Sequence, residues 1–377
     1  MGNLAIAEGT LRGRFVVYPY MSIRRLFRTR ALLLLALGAD LLIFAGPQDP
    51  FAFSGASFEA ALALQEQVTD DWLAREGVVG TAIGVDGRGH AVLKVYVTSI
   101  AAVAGFPQYM VGVEVETEVT GPFLALGDMP TPADAEAVDP KKNFPRPVPI
   151  GVSTGHPSVT AGTIGARVTD GSRIFALSNN HIFAANNGGK MGDNLLQPGR
   201  VDGGRDPDDV IGTLHDYEAI DFCSGRLCGM NKIDAAVALT TADDLHNETP
   251  EGGYGAPQSW TIEAKIGMEV QKYGRTTGYT TGRITGLNAT IDVGYAAGTA
   301  RFEDQIVISG NGFSAGGDSG SLIVSDGFLL ADRRPVGLLF AGTAVSTLAN
   351  PIDVVLDRFG VTIDGAGADP SPTPTPD

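Results

Sequence analysis

The sequence predicts a mainly β protein with a small α+β module at its front. Fifty glycines and twenty-two prolines are spread through 377 residues, and both disfavour helix, glycine through backbone entropy and proline through its missing N–H. Long helical periodicities are few. Beyond residue 148, short apolar runs alternate with Gly and Asn, the punctuation of strands joined by tight turns rather than of a helical bundle.

Residues 1–57 form a leader. Arg24, Arg25, Arg28 and Arg30 precede an apolar run from Ala31 to Ala45. That is the order of a secretory signal with Met21 as its start, so export is the expectation and a cytoplasmic location the other reading. The run is short for a bilayer and carries Asp40, so no stable membrane span is expected. Residues 58–126 read as the α+β module. Ala61, Leu64, Val68 and Trp72 share one helical stripe, and Gly77 stands where the helix should end. Val78 to Val85 and Ala91 to Val97 read as strands around the turn Asp86-Gly87-Arg88-Gly89. Val111, Val113 and Val115 alternate with glutamates as a half-buried strand would. This module shows no chemistry of its own. Pro130, Pro132, Pro140, Pro145 and Pro147 mark residues 127–148 as a linker. Residues 149–364 form the main domain, and residues 365–377 are a Pro/Thr tail that cannot build a core.

A net charge of -16 excludes nucleic acid as the expected partner, because phosphate binding needs a surplus of Lys and Arg. Cys223 and Cys228 are the only cysteines. They can close a small disulfide loop in an exported protein or remain two thiols. No cofactor or metal is expected. The acidic loop from Asp202 to Asp209 reads as solvated surface, with calcium, a hard ion suited to clustered carboxylates, as the other reading.

The chemistry gathers at three places. Gly317-Asp318-Ser319-Gly320-Ser321 puts a serine on a glycine-rich turn, where its hydroxyl can be presented while backbone N–H groups converge on one point. An ordinary turn is the plainer reading of the pentapeptide alone. A serine hydroxyl needs a base, and histidine has the suitable pKa. Of five histidines, His181 stands apart: it ends the buried-looking run Ile174 to Asn180 and is followed by Ile182-Phe183-Ala184. His90, His156, His215 and His246 lie in turns or polar stretches. Asp234 sits inside the apolar run Ile233 to Leu239, where an unpaired carboxylate would be costly, so it is expected to be paired or to cap a strand.

The chain order His181, Asp234, Ser319 resembles that of the chymotrypsin-like serine peptidases and differs from the subtilisin and α/β-hydrolase orders. Tyr273-Gly274-Arg275-Thr276-Thr277-Gly278 through Ile284 is similar to a strand-turn-strand of the bacterial streptogrisin and α-lytic peptidases, with Tyr273 and Thr281 where those carry cysteines. The stretch from Phe58 to Val361, including Ala176 to His181 and Asn350-Pro351, also resembles the narrow-leaf-type serine peptidases of plants and their bacterial relatives. The resemblance implies two six-stranded antiparallel β-barrels with the site between them, His181 and Asp234 on the first and Ser319 on the second. It implies an oxyanion hole from the N–H groups of Gly317 and Ser319, a specificity pocket floored by Phe313 and walled by Ala341 and Gly342, and an Arg275–Asp318 ion pair. Phe340 stands where many relatives have a serine that bonds the triad acid.

The function expected is therefore a serine endopeptidase that acts on peptides or proteins through an acyl-enzyme, with small or apolar P1 residues preferred. A catalytically silent binding protein of the same fold is the alternative, and ester hydrolysis a third possibility. The oligomeric state is left open.

Overall fold

The computed structural model describes residues 55–126, 138–225, 227–310, 312–327 and 332–367. Residues 1–54 of the expected leader, 127–137 of the expected linker and 368–377 of the expected tail lie outside the described residues. The chain is mainly β, as expected, and no helix among the described residues is long and apolar enough to cross a membrane.

The front of the chain comprises α1 (Gly55–Leu73), β1 (Val78–Val85), β2 (Ala91–Val97), α2 (Ile100–Val103), β3 (Tyr109–Met110), β4 (Val113–Val119) and β5 (Phe123–Ala125). Helix α1 buries the stripe of Ala61, Leu64, Val68 and Trp72 against Ile83, Leu93, Val95 and Val97. Burying each large apolar side chain contributes roughly 1.5–3 kcal/mol. Gly77, at φ +80°, takes the left-handed turn that leads from the helix into β1. Val111 departs from the expected strand: it sits at φ +51° in the β3–β4 turn and is exposed.

The middle comprises β6 (Ser153–Thr154), β7 (Gly162–Thr163), β8 (Ala166–Thr169), β9 (Ile174–Ser178), α3 (Asn180–Phe183), β10 (Asn194–Leu196), β11 (Val210–Tyr217), β12 (Met230–Asn231) and β13 (Ala236–Thr240). The last part comprises β14 (Glu269–Gly274), β15 (Gly278–Tyr295), β16 (Gly298–Ser309), β17 (Leu322–Ser325), β18 (Pro335–Gly342), β19 (Ser346–Pro351), α4 (Ile352–Phe359) and β20 (Thr362–Ile363).

One sheet has six strands in the order β10-β11-β13-β9-β8-β20. The largest has twelve, because the front module joins it, and β6 and β7 form a separate two-stranded pair. Strand β15 runs for 18 residues while its neighbour β14 has six, so much of its edge would stay open; β1 pairs with it antiparallel from Gly80↔Ile291 to Ile83↔Leu287. An open edge of that length is an aggregation hazard that pairing removes. Gln65 on α1 and Asn288 on β15 exchange two hydrogen bonds of 2.8 Å across this junction. Strand β5 lies between β15 and β18, parallel to the first and antiparallel to the second. The two sheets meet over one apolar cluster in which Ala166, Phe175, Leu177 and Val237 join Leu322, Val324 and Leu338, sealed by Ile352, Val355 and Leu356 of α4.

Cys223 and Cys228 are joined in a disulfide.

Candidate active site

Strand β9 carries the chain into the short helix α3, so His181 leaves the sheet just after the buried Ser178, Asn179 and Asn180. Strand β13 pairs with β9 through Ala236↔Ser178, which sets Asp234 beside the helix. The imidazole Nδ1 lies 2.5 Å from Asp234 Oδ2, and the His181 backbone N–H donates to Oδ1 at 3.2 Å. Asp234 is fully buried and His181 only 4% exposed. Such a carboxylate needs donors on both oxygens. Tyr295, at the end of β15, donates its hydroxyl to Oδ2 at 3.0 Å. Around the backbone of Asp234, the N–H donates to Asn350 Oδ1 at 3.1 Å and the carbonyl accepts from Asn179 Nδ2 at 2.7 Å. His181 Nε2 is buried and has no hydrogen-bond partner among the described residues.

Phe340, standing where a donor to the acid was expected to be missing, packs its ring 4.8 Å from that of Phe302, and its carbonyl accepts the Ser319 hydroxyl at 3.3 Å. Tyr295 supplies the donor instead. The structure thus joins His181 to Asp234 and turns the Ser319 hydroxyl towards β18. The Ser319 segment itself is locked to β7: Thr163 N–H donates to the Ser319 carbonyl at 2.8 Å. Gly320, at φ +91°, passes so close that a Cβ there would fall 2.2 Å from Ser178 Oγ and 2.3 Å from the Thr163 carbonyl. Glycine is required at this position on both counts.

The expected Arg275–Asp318 pair is not formed. Arg275 donates instead to Asp202, from Nε at 2.7 Å and from Nη2 at 2.6 Å. Arg275 and Asp202 are 5% and 8% exposed at the side chain, so this is a bidentate, largely desolvated pair of the strong kind. Asp202 also accepts from Ser153 Oγ at 2.5 Å. The first residue of the acidic loop is therefore a structural anion, and the reading of the whole loop as solvated surface is corrected there.

Asp318 finds its cation in Lys272, whose Nζ stands 3.7 Å away with both side chains fully buried. Its carboxylate also accepts from the N–H groups of Thr276 (2.8 Å), Thr277 (3.2 Å) and Ala315 (2.9 Å) and from Thr277 Oγ1 (2.8 Å). Burial pulls the Lys272 pKa below its ordinary value, and Asp318 works against that shift. Nothing in the pattern Val270-Gln271-Lys272-Tyr273 announces a buried lysine, since alternation assigns one face or the other but not the partner waiting there.

The front module, expected to be chemically silent, reaches the site. Antiparallel pairing sets Ala125 against Ala341 and Leu124 against Gly342, the two residues expected to wall the pocket. The Leu126 carbonyl then accepts the Gly317 N–H at 2.6 Å. The Leu126 side chain is fully buried in an apolar cluster with Phe313, Ile284, Ile308, Ile323 and Leu339. A Cβ at Gly342 would stand 3.5 Å from Leu126 Cδ2, so the absent side chain leaves the space that leucine borders. Ser319 is fully buried.

The Nal1 C-terminal domain family matches residues 258–350. Among solved structures, the chain is similar to Thermobifida fusca protease A, with 21% identity over 58% of this chain and 100% of that one and a TM-score of 0.42. It is similar to Nocardiopsis protease, with 19% identity over 57% and 99% of the two chains and a TM-score of 0.41. It is also similar to Cellulomonas bogoriensis chymotrypsin, with 20% identity over 58% and 99% and a TM-score of 0.39. No curated protein sequence matches the chain.

Proposed function

We propose that this chain is a serine endopeptidase of chymotrypsin-like design, with the six-stranded sheet as its first barrel and β14–β19 as its second. The observation that carries this reading is the state of His181: one ring nitrogen meets a fully buried carboxylate, and the other is buried without a partner among the described residues. A structural histidine would satisfy both nitrogens; a general base keeps one for its proton.

In this reading the Ser319 hydroxyl leaves the Phe340 carbonyl by rotation about χ1 and gives its proton to His181 Nε2 as Oγ attacks a peptide carbonyl. Asp234 holds the imidazole with Nδ1 protonated and stabilises the imidazolium, while Tyr295 and the His181 N–H keep the carboxylate fixed. The Gly317 N–H, joined by that of Ser319, receives the oxyanion. His181 then protonates the departing amine, and water repeats the sequence to release the acyl group. Phe313, Ala341 and Gly342 would bind the residue on the acyl side, and their apolar character favours small or apolar side chains. The disulfide supports export, since such bonds persist in oxidising compartments.

A fluorophosphonate probe tests the proposal. It should modify Ser319 in the full chain and in Leu126→Asp, a change that puts a charge in place of the buried apolar side chain, and it should fail on His181→Ala. Absence of adduct from both folded forms would favour the binding-protein reading, which the burial of Ser319 otherwise keeps open.

A further inference from the structure

Resting on that reading, we infer that Thr276 is a positioning residue of the oxyanion hole: its hydroxyl holds the peptide between Gly316 and Gly317 so that the Gly317 N–H faces the reacting carbonyl.

The need for such a group follows from the sequence of the serine loop. The N–H assigned to the oxyanion belongs to a peptide flanked by two glycines, and with no Cβ on either side that plane can turn over at little steric cost. A peptide unit is planar and trans, so its C=O and N–H point in opposite directions. Holding the carbonyl therefore aims the N–H. Thr276 Oγ1 donates to the Gly316 carbonyl at 2.6 Å, and at the far end of the same peptide the Gly317 N–H points out of the loop to an oxygen 2.6 Å away, that of Leu126.

The direction of the threonine proton is fixed as well. A hydroxyl has one hydrogen, and a guanidinium can only donate. Arg275 Nη1 donates to Thr276 Oγ1 at 3.1 Å, so the hydroxyl hydrogen is left for the Gly316 carbonyl. The guanidinium is itself held by Asp202 through Nε and Nη2. The arginine expected at Asp318 thereby gains a different role. Donation runs from Arg275 to Thr276 to the Gly316 carbonyl, and each bond polarises the next, which strengthens the Gly317 N–H as a donor.

Contact between the two segments is direct. Gly317 sits at φ +95°, and a Cβ there would fall 2.5 Å from Arg275 Nη1 and 2.6 Å from Thr276 Oγ1. The threonine is anchored to the same loop through its main chain, its N–H donating to Asp318 Oδ1 at 2.8 Å. Thr277 does not duplicate the role, because its hydroxyl donates to Asp318 Oδ2 at 2.8 Å.

The test follows fluorophosphonate labelling of Ser319 in the full chain against probe concentration, which separates the maximal rate from the half-saturating concentration. Thr276→Val keeps the shape of the side chain and removes the hydroxyl. Deleting one oxyanion donor outright lowers turnover by about 100- to 1,000-fold, so releasing this one should lower the maximal labelling rate at least about tenfold with half-saturation within about twofold of wild type. Thr276→Ser should recover most of the rate. Thr276→Ala should be slow in the same way and serves where the valine variant does not fold. A hydroxyl-free variant labelled at the wild-type rate, a change confined to half-saturation, or a serine variant as slow as the valine one overturns the assignment and leaves the peptidase reading standing. Wild type that takes no label overturns both.

Discussion

Lys272→Met tests whether a buried ion pair shapes the loop that presents Ser319. Methionine keeps the length of the apolar stem and removes the charge. In the native protein, Lys272 Nζ lies 3.7 Å from Asp318 with both side chains fully buried, and it also donates to Thr277 Oγ1 and to the Gly278 carbonyl, the latter at 3.0 Å. Removing one partner of a buried pair typically costs about 3–5 kcal/mol, since the other charge stays behind uncompensated. Asp318 retains three N–H donors and one hydroxyl, and these hold the cost towards the lower end, about 3 kcal/mol. For a domain of this size each kcal/mol shifts the melting temperature by about 2–4 °C, so a fall of about 6–12 °C is expected. Thermal unfolding at pH 7, followed by circular dichroism, reads it. The double variant Lys272→Met, Asp318→Asn should recover part of the loss, because the orphaned charge is gone. A fall under about 2 °C, or a double variant as unstable as the sum of the singles, would falsify the account.

Tyr295→Phe removes one donor from the buried carboxylate that holds His181. A hydrogen bond to a charged group contributes about 1.5–3 kcal/mol, so fluorophosphonate modification of Ser319 should slow by about tenfold or more, and an unchanged rate would show that the hydroxyl is dispensable. Gly320→Ala should lower stability by about 2–4 kcal/mol in urea titration, from left-handed strain and from collision with Ser178 and the Thr163 carbonyl, and a neutral result would refute the close approach. Tyr96 has a buried hydroxyl without a partner among the described residues, so Tyr96→Phe should raise stability by about 1 kcal/mol at pH 7. Burial, aided by Glu118 and Glu116, pushes the Tyr96 pKa well above 10. Above pH 10 the unfolded phenol loses its proton while the folded one keeps it, so the unfolded state binds fewer protons and stability falls as pH rises. The Phe variant should lose stability less steeply over that range, and parallel pH profiles would contradict this assignment.

The residues that announce themselves locally were readable from the chain. Ser319 lies on its glycines, His181 at the end of an apolar run and Asp234 inside one, and each signal is a mismatch between a polar side chain and its neighbours. Partners that arrive from elsewhere leave no such mark. Tyr295 reaches Asp234 because β15 is long enough to carry it back, and Lys272 meets Asp318 because β14 pairs with β17, the strand that follows the serine loop. Arg275 was misassigned for the same reason. Position in the chain points Arg275 towards the serine loop, and only the folded path of residues 200–202 brings Asp202 to its guanidinium. Phe123 to Leu126 escaped notice as four apolar residues before a proline-rich stretch, because their meaning lies in the edge they pair with.

Strand β1 is zipped to β15, and hydrogen bonds between Gln65 and Asn288 hold the same seam. Detaching the front module therefore requires the long edge of β15 to meet water. Because the same strand carries Tyr295 to Asp234, conditions that unzip the seam should also loosen the grip on the buried carboxylate, and the stability of the module and the order of the histidine should fail together.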